Sequence, residues 1–286
     1  MTRYPLGRRM AVTTLREWPR TAGHAARHVG AASIAISRAG RSGDRSRLHR
    51  LERRWASRVV DALDIDLRLE GLDHIDPNRP HVVAPLHESF VDVAALFHLP
   101  LDLRFVAREE LASWPLLGRC LRDTGQIVVD PDRPISAMRG VREQAATAVA
   151  AGESVVVFPQ GSILGVEAAF QGGVDWLAGQ LDLPILPVVL AGGHRVWEWP
   201  YTPLLRYGSA VYLEALPVVA AGELAAIAGE MRHRALDNGH APVRRFDPDR
   251  DGYWDGYGYE IDPTFPELAA RVARHRALRP ATLPVG

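Results

Sequence analysis

The amino-acid sequence predicts an α/β fold: a mostly parallel central sheet flanked by helices, with a basic helical N-terminal segment and a short C-terminal extension. Three observations lead there. From residue 66 onward, short β-branched runs alternate with longer helical stretches, the alternation that builds βαβ units. Most of those runs are apolar throughout, as strands covered on both faces require. A chain of 286 residues that is 47% apolar and 24% charged is long enough for one large core without disulfides or structural metal.

The same composition excludes collagen-like, coiled-coil and disordered classes. One cysteine, Cys120, can form neither an internal disulfide nor a thiolate zinc cluster, so a reducing cytosol is the expected setting. The formal net charge is zero, but it is unevenly spread. Residues 1–60 hold 14 Arg against 3 acids, and the remainder holds 20 Arg against 31 acids. There is no lysine, so every basic side chain is a guanidinium fork suited to phosphates.

The chain divides at residues 1–63, 64–240 and 241–286. In the first part the most apolar stretch, Gly30 to Ser37, is short and bracketed by Arg27 and Arg38, which is neither a signal peptide nor a bilayer span. From Arg47 to Asp61, apolar residues Leu48, Leu51, Trp55, Val59 and Leu63 recur at three- to four-residue spacing with Arg on the other faces. This is a basic amphipathic helix. Its stripe packs on the main domain, its arginines meet anionic lipid head groups, or both.

In the second part, strands are expected at Leu67–Glu70, His81–Pro85, Leu103–Val106, Gln126–Asp130, Ser154–Phe158, Ile185–Leu190 and Ala210–Leu213. Helices are expected at Ser89–Phe97, Pro115–Arg122, Pro134–Ala151, Val166–Ala178 and Ala221–Leu236. The third part is rich in Tyr, Trp, Asp and Gly. Asp247, Asp249, Asp251, Gly252 and Asp255 follow the spacing of a calcium loop, but Gly258 stands where its bidentate glutamate belongs, so no metal is expected.

The segment that carries chemistry is Pro85-Leu86-His87-Glu88-Ser89-Phe90-Val91-Asp92, at the end of a buried strand, where ligand sites of α/β sheets gather. Five residues along an ideal helix turn through about 140° net. His87 and Asp92 therefore meet only if His87 precedes the first turn, with Ser89 near the N-cap. Asp92 then accepts the Nδ1 proton, fixes the tautomer and leaves Nε2 as a base. Three more segments lie at strand ends or within strands: Gly125 to Arg133, Phe158-Pro159-Gln160-Gly161-Ser162, and Ile185 to Val189 with Pro187 inside.

Together these blocks resemble the 1-acylglycerol-3-phosphate acyltransferase family over roughly residues 70–215. The Asn-His-x-Ser-x-x-Asp block matches at His87, Ser89 and Asp92, with Leu86 for the Asn. The glycine, apolar strand and basic residue of the second block match Gly125 to Arg133. Phe-Pro-Glu-Gly-Thr-Arg matches at Phe158, Pro159 and Gly161, keeps a hydroxyl at Ser162, and has Gln160 for Glu and Ile163 for Arg. The Pro-Val pair of the fourth block matches Pro187-Val188. Arg108-Glu109-Glu110-Leu111 and Pro115-Leu116-Leu117-Gly118 also look like the family's stretch between its first two blocks.

The resemblance implies transfer of a fatty acyl group from a thioester of coenzyme A or acyl carrier protein to a lipid hydroxyl. No cofactor is implied beyond that donor. His87 is the implied base and Asp92 its partner. Arg133, Gln160, Gly161 and Ser162 contact the acceptor, and Ser89, Phe158, Pro159, Pro187 and Val188 support the site. Backbone N–H groups at Gly161-Ser162 or around Val188 are the two options for an oxyanion hole. The leading acceptor is 1-acylglycerol-3-phosphate, with a non-phosphorylated lipid or glycosylated isoprenoid as the alternative suggested by Gln160 and Ile163.

Other readings of these residues are weaker. Ser162 lacks the Gly-x-Ser-x-Gly elbow of a serine hydrolase, and Cys120 among leucines is a small hydrophobe. No helix-turn-helix or RNA-binding signature accompanies the basic segment, so nucleic acid is not an expected partner. The expected location is cytoplasmic, peripheral on the inner face of the cell membrane.

Overall fold

All seven expected strands form and join in one sheet: β1 (Asp66–Glu70), β2 (Val82–Pro85), β3 (Leu103–Arg108), β4 (Ile127–Val129), β5 (Ser154–Val156), β6 (Ile185–Ala191) and β7 (Ala210–Ala215). The structure is a computed structural model, and it describes residues 18–114, 116–130, 134–161, 167–197, 205–238 and 260–278. Strand order is β1-β7-β6-β2-β5-β3-β4. Every pairing is parallel except β6 with β7, so β1 and β7 run against the other five strands. The central strands β2 and β6 are buried along their whole length, as their unbroken apolar runs require. Strand β1 alternates exposed and half-buried residues, as an edge strand with one packed face does.

Pro187 sits inside β6 without breaking it. The β7 ladder begins at Val188↔Ala215, and Ile185 bridges Val219 instead. Pro187 therefore falls between two pairings, where a missing N–H is tolerated.

The helices are α1 (Trp18–His24), continued by a π-helical segment Ala25–Ala31, then α2 (Ala32–Arg41), α3 (Arg45–Ala62), α4 (Val91–Leu96), α5 (Glu109–Ala112), α6 (Leu117–Thr124), α7 (Pro134–Ala150), α8 (Gly173–Leu181), α9 (Gly193–Val196), α10 (Leu224–Asp237) and α11 (Pro266–Leu278). Helix α3 is the expected basic amphipathic helix. It is capped by Asp44, whose side chain accepts from the Arg47 N–H. Its stripe is not purely apolar, because His49 and Glu52 are buried beside Leu48, Ala56 and Val59.

Those two polar residues enter a charged cluster under the sheet. His49 Nδ1 bonds Glu52 at 2.9 Å and Nε2 bonds Glu153 at 2.9 Å. Arg104 grips the same Glu153 with Nε, at 2.9 Å, and Nη2, and it also donates to the Thr124 carbonyl. Arg53 pairs with Asp102 at 2.6 Å. The cluster thus ties α3 to the starts of β3 and β5.

Four expected helices start later than the pattern suggested, among them α6 at Leu117 rather than Pro115 and α10 at Leu224 rather than Ala221. Helix α4 opens at Val91 rather than Ser89 because Phe90, not Ser89, occupies the cap position. Helix α8 opens at Gly173 rather than Val166, because the chain just before it pairs with the C-terminal extension. Ala168 bridges Ile261, Ala169 N–H donates to Glu260, and Asp262 N–H donates to Glu167. Arg232 from α10 locks this contact through Asp262 at 3.0 Å. The calcium-like loop, residues 247–258, lies outside the described residues.

Candidate active site

Strands β2 and β5 are parallel neighbours in the register Val82↔Val155 and Val83↔Val156. Their chains leave the sheet side by side, and His87 lands face to face on Phe158, with ring centroids 3.7 Å apart and 18° between planes. Past β2 the chain wraps around one oxygen of Asp92. Oδ2 accepts from His87 Nδ1 at 2.9 Å, from the Glu88 N–H at 2.6 Å and from the Ser89 N–H at 2.8 Å. Asp92 is fully buried, and His87 is 9% exposed. The bond to Asp92 engages Nδ1, so Nε2 is the ring nitrogen on the opposite side of the imidazole. His87 therefore lies before the first turn of α4, and the five-residue spacing closes into a hydrogen bond.

Ser89 does not cap α4 in the usual way. Its hydroxyl donates to the Trp197 carbonyl at 2.7 Å and accepts from the Val91 N–H at 3.3 Å. It binds the motif loop to the loop after β6.

His87 and Phe158 stand on the wall of a cavity of about 630 Å³ that also reaches Gly161. This is within the size range of small-molecule sites, about 300–1,000 Å³. Its walls are aromatic and aliphatic, with Phe90, Phe97, Phe105, Trp114 and Trp197 among them. Helices α2 and α3 close one side of it with Ser33, Ile36, Glu52 and Trp55, and Cys120 and Thr124 of α6 also line it. The N-terminal segment is thus part of the cavity wall.

The other site residues are placed unevenly. Gly161 reaches the cavity, but its N–H donates to the Phe158 carbonyl at 3.0 Å in a tight turn where its own φ is 69°. Val188 is wholly buried in the sheet and Pro187 beside it is buried too. Neither proposed source of oxyanion donors therefore aims a described N–H into the cavity. Gln160 is fully buried and lies off the cavity wall, and Pro159 is buried, its carbonyl accepting from the Gln171 N–H at 2.7 Å. Arg133, Ser162 and Ile163 lie outside the described residues.

One buried pair was not singled out from the sequence. Glu88, fully buried, accepts through Oε2 from the Gly192 N–H and from His194 Nδ1, both at 2.9 Å. Its position inside the motif, next to His87, was the available signal. His194 gave none, being 106 residues away.

A family model described as Acyltransferase matches residues 66–191, from β1 to the end of β6, and so spans the dyad and all four sequence blocks. Over these residues the chain is similar to acyltransferases. It is 28% identical over 184 residues to the 1-acyl-sn-glycerol-3-phosphate acyltransferase of Pseudomonas aeruginosa, covering 63% of this chain and 69% of that protein. It is 30% identical over 113 residues, 38% of each chain, to a lyso-ornithine lipid O-acyltransferase of Rhizobium meliloti. The crystal structure of the acyltransferase PlsC from Thermotoga maritima has the same fold, with a TM-score of 0.62 at 20% identity, covering 78% of this chain and 96% of that one. The chain therefore shares the α/β fold of that acyltransferase. No helix among its described residues is long and apolar enough to cross a membrane.

Proposed function

We propose that this acyltransferase moves a fatty acyl group from a thioester of coenzyme A or acyl carrier protein to the hydroxyl of 1-acylglycerol-3-phosphate at a membrane surface. The observation that carries the reading is the His87–Asp92 pair on the wall of an apolar cavity. His87 Nε2 takes the hydroxyl proton as the alcohol oxygen attacks the thioester carbonyl. The tetrahedral intermediate then collapses, the C–S bond breaks, and the departing thiolate takes the proton back from the imidazolium. The protein supplies no covalent nucleophile in this scheme. The acyl chain occupies the cavity, where each buried methylene contributes about 0.8 kcal/mol.

Two observations favour a second reading of the acceptor, as a non-phosphorylated lipid or glycosylated isoprenoid. Gln160 and Ile163 replace the charged residues of the family's third block, and one relative is named for a lyso-ornithine lipid. Incubation of the protein with labelled acyl donor and a panel of phosphorylated and neutral acceptors tests it. Turnover is expected to be fastest with 1-acylglycerol-3-phosphate; faster turnover of a neutral acceptor replaces the first reading with the second.

Cavity depth gives a further expectation. Cys120 lines the side closed by α2 and α3 and is buried, its thiol pushed up to about 11 mainly by that burial. Cys120→Phe fills this side, at an overpacking cost of about 1–3 kcal/mol, and shifts donor preference to shorter chains. Competition between donors of two lengths measures it; an unchanged ratio places the acyl chain elsewhere.

Membrane contact falls to the N-terminal helices. Arg38, Arg47, Arg50 and Arg54 are exposed, and so are Ile34 and Leu116. Each arginine near an anionic surface contributes about 1 kcal/mol. Vesicle sedimentation is expected to show binding that requires anionic lipid and weakens with salt. Equal binding to neutral vesicles removes this part of the proposal, and with it the peripheral location at the inner face of the cell membrane.

A further inference from the structure

The dyad loop is held from behind by a second histidine–carboxylate pair. After β6 the chain turns sharply at Gly192, whose φ is 94°. A Cβ at Gly192 would overlap the Ala210 carbonyl, and one at Gly193 would overlap Asp92 Oδ1. The turn is therefore wedged between β7 and the dyad, with Gly193 lying directly on the carboxylate. Asp92 Oδ1 is buried and has no hydrogen-bond partner among the described residues. Packing against Gly193, not bonding, fixes the tilt of the carboxylate on that side. What holds the turn there is Glu88. Its Oε2 accepts both the Gly192 N–H and His194 Nδ1, while its own backbone N–H donates to Asp92 Oδ2. The Ser89 hydroxyl adds a third tie, to the Trp197 carbonyl.

We propose that Glu88 and His194 are positioning residues that clamp the Gly192-Gly193 turn onto Asp92, so that the carboxylate keeps one oxygen on His87 Nδ1 through the reaction. The inference rests on His87 and Asp92 acting as the proposed dyad. It assigns no contact with substrate to Glu88 or His194. Without the clamp the turn lifts, Asp92 gains a second rotamer, and the imidazole loses its fixed tautomer. Misplacement on the scale of an ångström costs up to about 10²-fold in rate.

The test compares His194→Ala, His194→Asn and Glu88→Gln with the parent and with His87→Ala. Four readouts are used: kcat, KM for the acyl thioester, the thermal midpoint, and the low-field proton resonance of His87 Nδ1–H. His194→Ala is expected to lower kcat by about 10- to 100-fold with KM unchanged, and to broaden the His87 resonance. Asparagine can place an N–H close to that of His Nδ1, so His194→Asn recovers most of the loss. Glu88→Gln keeps an acceptor oxygen but weakens both bonds to it. It is expected to lose several-fold in kcat with the resonance displaced, and it decides the matter should His194→Ala fail to fold. Unchanged kcat and resonance in these variants overturn the clamp. So does a loss of kcat that follows the thermal midpoint while the His87 resonance stays sharp. A His87→Ala protein that still transfers acyl groups overturns the dyad itself; an inactive His87→Ala beside a normal His194→Ala overturns only the clamp.

Discussion

His87→Ala is expected to slow single-turnover acyl transfer by about 10²–10⁴-fold while the protein stays folded. An alcohol is a poor nucleophile at neutral pH, so its proton must leave as the C–O bond forms, and in the proposed mechanism His87 is the base that takes it. Asp92 holds Nδ1 at 2.9 Å and Phe158 covers the ring face, so the imidazole arrives with tautomer and orientation already set. Folding survives the change because Asp92 Oδ2 keeps the Glu88 and Ser89 N–H groups. The buried carboxylate is not left unpaired. Asp92→Asn is expected to cost less than His87→Ala. Those two N–H groups select the amide's carbonyl oxygen for the inner position, where it still accepts from His87. Rapid-quench measurement with a labelled thioester checks both, and near-normal transfer by His87→Ala removes the mechanism.

Glu153→Ala is expected to destabilise the fold by about 3–5 kcal/mol, the cost of stranding a buried charge. Arg104 is 1% exposed and grips Glu153 with two nitrogens. Arg104 also donates to the Thr124 carbonyl. Exposed ion pairs contribute only about 0–1 kcal/mol, so urea unfolding separates the cases. A loss below about 1 kcal/mol means that Arg104 finds water or another partner. Replacing both residues, Arg104→Leu with Glu153→Leu, is expected to recover part of the single-variant loss, since no guanidinium is then left uncompensated.

The cluster also sets a pH window. Burial pushes the Glu153 carboxyl up, but hydrogen bonds from His49 and Arg104 and the charges of Arg104 and Arg45 more than offset it and hold it at about 2 against an ordinary 4.5. Its contribution is full above pH 4.5 and is lost as the pH falls toward 2. Burial pushes His49 down, but bonds to Glu153 and Glu52, with the charges of Glu52 and Asp102, hold it at about 9 against 6.5. That contribution is full below pH 6.5 and is lost as the pH rises through 9. Both are complete between pH 4.5 and 6.5. Unfolding midpoints across pH are expected to fall on either side of that window, and Glu153→Ala flattens both limbs.

Periodicity located the strands because burial on both faces leaves a continuous apolar run, as Val82 to Ala84 and Ile185 to Leu190 display. The edges of helices were less legible. Ser89 has the chemistry of an N-cap, yet a carbonyl 108 residues away takes its hydroxyl. The start of α8 moved because residues 167–169 pair with a segment more than 90 residues further on. The residues between the apolar positions of α3 read as basic faces, while His49 and Glu52 among them are buried against Glu153.

What the chain determined by itself was local: seven strands, most of them apolar throughout, a basic helix, and a His and an Asp at a spacing that can close only at a helix start. Register between β2 and β5 decided the rest, because it sets Phe158 under His87. The close approach of Gly193 to Asp92, the Glu88–His194 clamp and the helical wall around the cavity are likewise contacts between residues far apart in sequence. Such contacts depend on how strands are ordered in the sheet, and strand order leaves no trace in the spacing of residues along one strand.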